Sequence, residues 1–94
     1  MHIRLVKSDK KRFLDLLLLA DEQESMIDRY IERGDLFVME EKAEPKALAV
    51  VTREGQGVYE LKNLAVAPAC QRKGYGRMMV EHVWHYCTDC RTLL

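Results

Sequence analysis

Ninety-four residues, 48% of them apolar and 32% charged, suffice for one small folded domain. Fifteen basic and fifteen acidic residues give a formal net charge of zero, which argues against a nucleic-acid partner, because nucleic-acid binders need an excess of Lys and Arg. The longest apolar stretch, residues 16–20, is far shorter than the ~20 residues that span a bilayer, and basic residues interrupt the start of the chain. We therefore expect a soluble cytoplasmic protein without a membrane partner, and three cysteines in this context do not predict a disulfide scaffold.

The N-terminal part of the chain predicts a strand followed by two helices. Residues 2–6 alternate in the manner of a strand, with Ile3 and Leu5 on one face. A wide apolar surface then predicts a helix that ends near residue 21 and packs on a sheet. A second helix is predicted over residues 23–33, with Gly34 placed to end it in a left-handed conformation.

Three strands are predicted next. Residues 36–41 form the first, residues 44–46 supply a turn with Pro45, and residues 47–53 return as the second. The third strand covers residues 58–66. Alternation predicts one face with Val58, Glu60, Lys62 and Leu64, and the other face with Tyr59, Leu61 and Asn63. A third helix is predicted from residue 77 to about residue 87, and residues 91–94 resemble the opening of another strand.

The stretch that carries chemistry is LAVAPACQRKGYGR, residues 64–77, a strand, a short loop and a helix that begins at once. The first turn of a helix exposes N–H groups without internal partners and carries the positive end of the helix dipole, so it suits an anion such as a pyrophosphate. Gly74 and Gly76 lack a Cβ, which lets phosphate oxygens approach the backbone closely. Arg72, Lys73 and Arg77 add positive charge. The alternative is that the two glycines only make a tight connection.

Two other phosphate-binding loops do not fit this stretch. The Walker A pattern ends in Gly-Lys-Ser/Thr, which is missing here. The dinucleotide fingerprint needs a third glycine, and Met79 stands in its place.

A known family does fit. Gln71-Arg72-Lys73-Gly74-Tyr75-Gly76 resembles the acetyl-CoA signature of the GNAT superfamily of N-acetyltransferases, Gln/Arg-x-x-Gly-x-Gly/Ala. Leu64-Ala65-Val66-Ala67-Pro68 resembles the strand and proline that precede that signature, and residues 78–81 resemble the start of its long helix. The predicted element order resembles the first two-thirds of that fold.

This resemblance implies a function and a binding site. The enzyme would transfer an acetyl group from acetyl-CoA to a primary amine of an unidentified acceptor. The backbone of Leu64, Ala65 and Val66 would hydrogen-bond the pantetheine arm as an extra strand would. The pyrophosphate would be wrapped by the signature residues and the amides that follow, that is, by Gln71, Arg72, Lys73, Gly74, Tyr75, Gly76 and Arg77.

For catalysis, the resemblance implies a base at Glu60, a strand position where several family members carry a carboxylate. The alternative is a solvated carboxylate that pairs with Lys62 or another neighbour. Many relatives place their base on the following strand and a Tyr that protonates the thiolate on the helix after it, and both would lie beyond residue 94. Tyr75 and Tyr86 are not assigned to that role.

The cysteines and histidines near the C-terminus are a competing site for chemistry. His82, His85, Cys87 and Cys90 have the ligand types of a zinc site, but Cys87 falls on the apolar stripe of the third helix and is expected to pack as a small hydrophobic residue. No metal is therefore expected.

We expect residues 1–94 to be a single α/β domain of the GNAT type, with a mostly antiparallel sheet flanked by helices and truncated before the C-terminal strands. The alternative to an N-acetyltransferase is a non-catalytic module that binds CoA or self-associates. An open edge at residues 58–66 favours a homo-oligomer, formed through this edge or through the C-terminal end. The acidic run at residues 21–24 could attract a cationic amine, or could only aid solubility.

Overall fold

Five strands form one sheet, and their spatial order equals their order along the chain. The computed structural model describes residues 2–94. The strands are β1 (His2–Val6), β2 (Asp35–Glu41), β3 (Glu44–Gly55), β4 (Val58–Val66) and β5 (Thr92–Leu93). β1 to β4 pair antiparallel, whereas β5 runs parallel to β4. The predicted bounds of β4 and the short strand near the C-terminus are confirmed.

Helices cover both faces of this sheet. A 3-10 turn leads into α1 (Leu14–Ala20), which packs with α2 (Glu24–Ile27) on one face, and α3 (Tyr75–Tyr86) packs on the other. The α/β class with a mostly antiparallel sheet is therefore confirmed. Within residues 2–94, no helix combines the length and the apolar character needed to cross a membrane.

The sheet is buried on both faces, so its central strands read as nearly continuous apolar runs. In β2, Leu36 and Val38 pack towards α1 and α2, whereas Phe37 and Met39 pack towards α3. All four side chains are at most 1% exposed. Ile3 and Leu5 of β1 also pack on the α3 face, as their alternation predicted.

The second helix is shorter than predicted. Only Glu24–Ile27 is α-helical, and residues 28–33 continue as a series of turns. Gly34 is not left-handed, because positive φ among the glycines is confined to Gly57 and Gly74. Its lack of a side chain is needed for packing, since a Cβ there would lie 2.7 Å from Val50 Cγ1. The buried ammonium of Lys10 also holds the end of this segment, by donating hydrogen bonds to three carbonyls.

The turn between β2 and β3 lies earlier than predicted. It is made by Lys42 and Ala43, with φ values of 54° and 64°, rather than by residues 44–46. Two residues with positive φ match the right-handed twist of a hairpin. Pro45 is part of β3 and lies opposite Glu40, where the register shifts. A proline is tolerated at such an irregular position of a ladder.

The predicted faces of β4 are wrong beyond Leu61. Val51 lies opposite Leu61 and Val50 opposite Asn63, so Lys62 is an extra residue that forms a β-bulge. After the bulge, Leu64 joins Tyr59 and Leu61 on the α3 face, whereas Asn63 bonds to α1 on the other face. The bulge therefore changes which face each later side chain of β4 occupies.

Candidate functional site

The loop between β4 and α3 has two residues in the left-handed conformation. Arg72 has a φ of 66° and Gly74, immediately before α3, has a φ of 82°. Left-handed residues interspersed with right-handed ones turn successive N–H groups towards a common side, which makes an anion-binding concavity. The two left-handed residues of this loop are a feature that such concavities share, and the anion site itself stays a prediction.

The backbone donors of this loop are not used within the protein. Among residues 2–94, no hydrogen bond is donated by the N–H groups of residues 72–77, and the first bond of α3 runs from the Met78 N–H to the Gly74 carbonyl at 3.1 Å. These donors stand at the N-terminus of a helix of 12 residues, where the helix dipole favours negative charge. The arrangement suits an anion with several oxygens.

The two glycines of the loop have different environments. A Cβ on Gly74 would meet no atom within 4 Å, so its positive φ is what favours glycine there. A Cβ on Gly76 would lie 3.7 Å from Val66 Cγ2 and 4.0 Å from Leu64 Cδ2, which is ordinary contact. Gly76 therefore places the first turn of α3 directly beside the end of β4.

The side chains that flank the loop are arranged unequally. Arg72 and Lys73 are exposed and form no ion pair with any carboxylate of residues 2–94. Arg77 instead extends along α3 and pairs with Glu81 at 3.0 Å. Gln71 donates from Nε2 to the Val66 carbonyl at 3.2 Å, which ties the loop to the end of β4. Two unpaired cations thus remain at the loop.

One edge of β4 is only half covered. β5 pairs with Val58 and Tyr59, and the Leu61 N–H donates to the Leu94 carbonyl. Among residues 2–94, no strand pairs with this edge of β4 beyond Leu61. Ala67 donates to Lys46 of the next strand, and antiparallel alternation then directs the peptide groups of Leu64 and Val66 to the open edge. By the same alternation, the peptide groups of Ala65 point towards β3. Of the three residues predicted to bind a pantetheine arm, Leu64 therefore has both peptide groups free of partners among residues 2–94. At Val66 only the N–H is free, because the carbonyl already accepts from Gln71 Nε2.

Glu60 lies on β4 just before the bulge. Its carboxylate pairs with Lys62 at 3.0 Å, and its side chain is 37% exposed. The alternative interpretation, a strand carboxylate paired with Lys62, thus describes its contacts as they stand. A proton acceptor at this position would have to release Lys62 or share it.

A cavity of about 420 Å³ lies on the α1 and α2 face, beside the bulge. Apart from the acidic run, sequence analysis did not anticipate its lining, which consists of Asp21, Met26, Arg29, Tyr30, Arg33 and Lys62. The spacing of 26, 29, 30 and 33 was a usable signal, because it would place these side chains on one side of the helix predicted over residues 23–33. The bulge at Lys62 left no comparable signal in the sequence.

A series of side-chain hydrogen bonds supports one wall of this cavity. Asn63 Nδ2 donates to the Leu17 carbonyl at 3.0 Å and to the Tyr30 hydroxyl at 3.1 Å. Tyr30 in turn donates to Asp21 Oδ2 at 3.3 Å. Burial is the main cause that raises the pKa of Tyr30. These hydrogen bonds hold the Tyr30 side chain, which forms part of the cavity wall, in place.

The cysteines and histidines do not form a metal-binding group. Within residues 2–94, no three His, Cys, Asp or Glu side chains lie close enough to hold an ion. Cys87 is buried in the α3 core, as predicted, and burial raises the pKa of its thiol to about 11. His82 packs edge-on against Phe37, with the ring centroids 5.1 Å apart.

Comparison with known proteins identifies the family. The family model described as the acetyltransferase (GNAT) family matches residues 5–93. The chain belongs to the GNAT acetyltransferase family. The resemblance stated from the loop sequence is therefore confirmed, and the match covers nearly all of the chain.

Individual members of the GNAT family show the same relationship. An uncharacterized N-acetyltransferase of Bacillus subtilis, YvbK, is 31% identical over 80 residues, which are 85% of this chain and 52% of that protein. A GNAT acetyltransferase of Elizabethkingia anophelis, solved with acetyl-CoA bound, is 28% identical with a TM-score of 0.86, over 94% of this chain and 57% of that one. A Bacillus subtilis acetyltransferase in complex with CoA is 29% identical with a TM-score of 0.84, over 93% and 57%. The chain thus spans little more than half the length of these relatives.

Proposed function

We propose that this chain is the acetyl-CoA-binding part of an N-acetyltransferase that transfers an acetyl group to a primary amine. The observation that carries the proposal is the row of unused N–H donors at residues 72–77, beside the open end of β4. Two of the relatives named above were solved with acetyl-CoA or CoA. The pyrophosphate would lie on residues 72–77, and the pantetheine arm would follow the open edge.

The contacts suggest a different task for each part of the site. Leu64 and Val66 would hydrogen-bond the pantetheine amides, and Ala65 would shape the strand from its buried side. Arg72 and Lys73 would neutralise phosphate charge, while Gln71 and Arg77 hold the loop and the helix in place. An arm laid along this edge leads towards the bulge at Lys62.

For the chemistry, acetyl-CoA supplies a thioester, and the chain must help to remove a proton from the attacking amine. The amine nitrogen forms a bond to the acetyl carbon as the carbon–sulfur bond breaks, and the departing sulfur takes up a proton. We propose Glu60 as the proton acceptor, working directly or through water, with Lys62 released from their ion pair. The group that protonates the sulfur is not assigned to any residue of this chain.

A binding experiment tests the proposal. Isothermal titration of the 94-residue chain with CoA should give saturable binding. The Arg72→Gln/Lys73→Gln double variant should bind about tenfold more weakly, since charge-assisted contacts to phosphate are lost. The matched control is Lys7→Gln/Arg53→Gln, which removes the same charge at the opposite end of the sheet and should bind as the parent does. Absence of CoA binding by the parent would remove the proposal.

A second candidate function is a non-catalytic module that binds CoA or self-associates. It is favoured by the open edge of β4 beyond Leu61, because unpaired strand edges invite pairing with another chain. A homo-oligomer formed through this edge should dissociate when CoA occupies it, which sedimentation velocity with and without CoA would measure. CoA release in the presence of an amine favours the enzyme over the module. A cytoplasmic location is proposed with either function.

A further inference from the structure

We propose that the acetyl acceptor is a small amine that also carries an acidic group, a carboxylate or a phosphate. This inference rests on the proposed function, and it names the class of the second substrate. It comes from the cavity on the α1 and α2 face of the sheet. At about 420 Å³, this cavity has the size of a small-molecule site.

The position of the cavity connects it to the proposed reaction. Lys62 lines the cavity and is also the extra residue of the β-bulge. Its ion pair with Glu60 therefore lies at the boundary between the cavity and β4. An amine held in the cavity would meet the open edge from the face opposite α3.

The charges of the cavity wall are mostly positive. Asp21 is its only carboxylate among the described residues, whereas Arg29, Arg33 and Lys62 are cationic. Arg33 pairs with Glu54 at 3.0 Å, and Lys62 pairs with Glu60. A ligand that brings only positive charge does not match this wall.

Arg29 is the cation with free binding capacity. Among residues 2–94, no carboxylate lies within 4.0 Å of its guanidinium, and its hydrogen-bond contact is to Met26 Sδ at 3.8 Å. A planar guanidinium presents paired donors that match a carboxylate or a phosphate. Arg29 is therefore the residue that would bind the acidic group.

One carboxylate in the cavity wall and one beside the wall suit the amino group. Asp21 accepts from Tyr30, which Asn63 holds in place, and Glu60 lies next to Lys62 at the bulge. The other acidic residues of the predicted run do not line the cavity, and Glu24 is engaged by Lys11. The cavity thus offers one anionic and one cationic pole, which match an amine and an acid on the same molecule.

The test compares amines that differ only in the acidic group. The pairs are 4-aminobutyrate with 1-aminobutane, and phosphoethanolamine with ethanolamine, titrated into the 94-residue chain with and without CoA and followed by NMR. At least one acidic member should bind about tenfold more tightly than its partner without the acidic group. Arg29→Gln should abolish this preference, whereas Arg29→Lys should keep part of it.

The control variant is Arg12→Gln, which removes an exposed arginine outside the cavity and should leave the preference unchanged. Equal or tighter binding of both amines that lack the acidic group, no binding of any amine, or a preference that survives Arg29→Gln would overturn the inference. CoA binding is measured in the same samples. A chain that binds CoA without the preference refutes only this inference, and a chain that does not bind CoA refutes the proposed function.

Discussion

Gly74 precedes α3 with a φ of 82°, and a Cβ there would meet no atom within 4 Å. Gly74→Ala should therefore lower the free energy of unfolding by about 1 kcal/mol, because a Cβ disfavours the left-handed conformation itself. Gly74→Asn should lose less, since Asn tolerates that conformation. Urea denaturation of the variants measures both changes.

Gly76→Ala is the matched control for this comparison. The added Cβ would make ordinary contacts at 3.7 Å and 4.0 Å, and Ala favours a helix over Gly, so stability should stay equal or rise slightly. A Gly74→Ala variant as stable as the parent would contradict the assignment of Gly74 to a conformational role.

Single residues also show where prediction from the sequence reached its limit. Gly74 was recognisable because it stands in the short loop between a predicted strand and a predicted helix, although α3 begins at Tyr75 rather than at residue 77 as predicted. Arg72, in contrast, has a φ of 66°, although residues other than glycine rarely adopt positive φ values. The neighbouring residues in the sequence did not indicate this conformation. Gly34 was assigned to a left-handed cap, but it is required by a contact with Val50 across the sheet, which local sequence does not reveal.

Among the elements, the end of the series of turns that follows α2, residues 28–33, depends on Lys10. Its Nζ donates to the carbonyls of Ile31 at 3.0 Å, Glu32 at 3.2 Å and Gly34 at 2.7 Å, and the residue is 8% exposed. Lys10→Met should lower the free energy of unfolding by about 2–3 kcal/mol, because buried carbonyls lose their donor. Chemical denaturation measures the loss.

Lys7→Met is the matched control, since Lys7 is exposed and should change stability by less than about 0.5 kcal/mol. If the Lys10 and Lys7 variants have the same free energy of unfolding, the hydrogen bonds from Lys10 to the three carbonyls do not contribute to stability.

The pairing of β1 with β2 includes a pH-dependent contact. Arg4 Nε donates to Glu40 Oε1 at 2.5 Å, and this bond is the main cause that lowers the pKa of Glu40. A carboxyl whose pKa is lowered by folding stabilises the folded protein at pH values above the ordinary pKa of Glu. This stabilisation is lost as the pH falls through the pKa of the carboxyl in the folded state. Arg4→Gln should therefore raise the pKa of Glu40 and shift acid unfolding to higher pH.

NMR titration of the Glu40 side-chain carboxyl carbon measures that pKa in both proteins. Glu40→Gln provides the control, because this variant lacks the titrating carboxyl. The pH at which it unfolds in acid should therefore depend only on the other carboxylates. An unchanged Glu40 pKa in Arg4→Gln would contradict the assigned cause.

The strands show which elements sequence patterns can define. The bounds of β4 followed from its apolar content, but its faces did not, because the bulge at Lys62 breaks the two-residue alternation without a glycine to mark it. Likewise, Pro45 suggested a turn at its own position, whereas the chain turns at Lys42 and Ala43, two residues with unusual φ values. Irregular backbone was the common cause of these errors.

For the protein as a whole, the order of elements and the loop at residues 71–76 were enough to indicate the family. Its match over residues 5–93 confirms that interpretation. The cavity beside α2 was not foreseen, because its wall joins side chains from a helical segment and from a bulged strand that are distant in sequence. The cavity that we propose for the acceptor therefore became visible only in the structure.

The proposed function depends on binding of the CoA diphosphate by the backbone N–H groups of residues 72–77. Titration of the nitrogen-15-labelled chain with CoA, followed residue by residue in amide correlation spectra, tests this most directly. We expect the largest saturable shifts at residues 72–77, with smaller shifts at the Leu64 and Val66 amides. Saturable binding that leaves these amides unmoved and shifts signals elsewhere would contradict it.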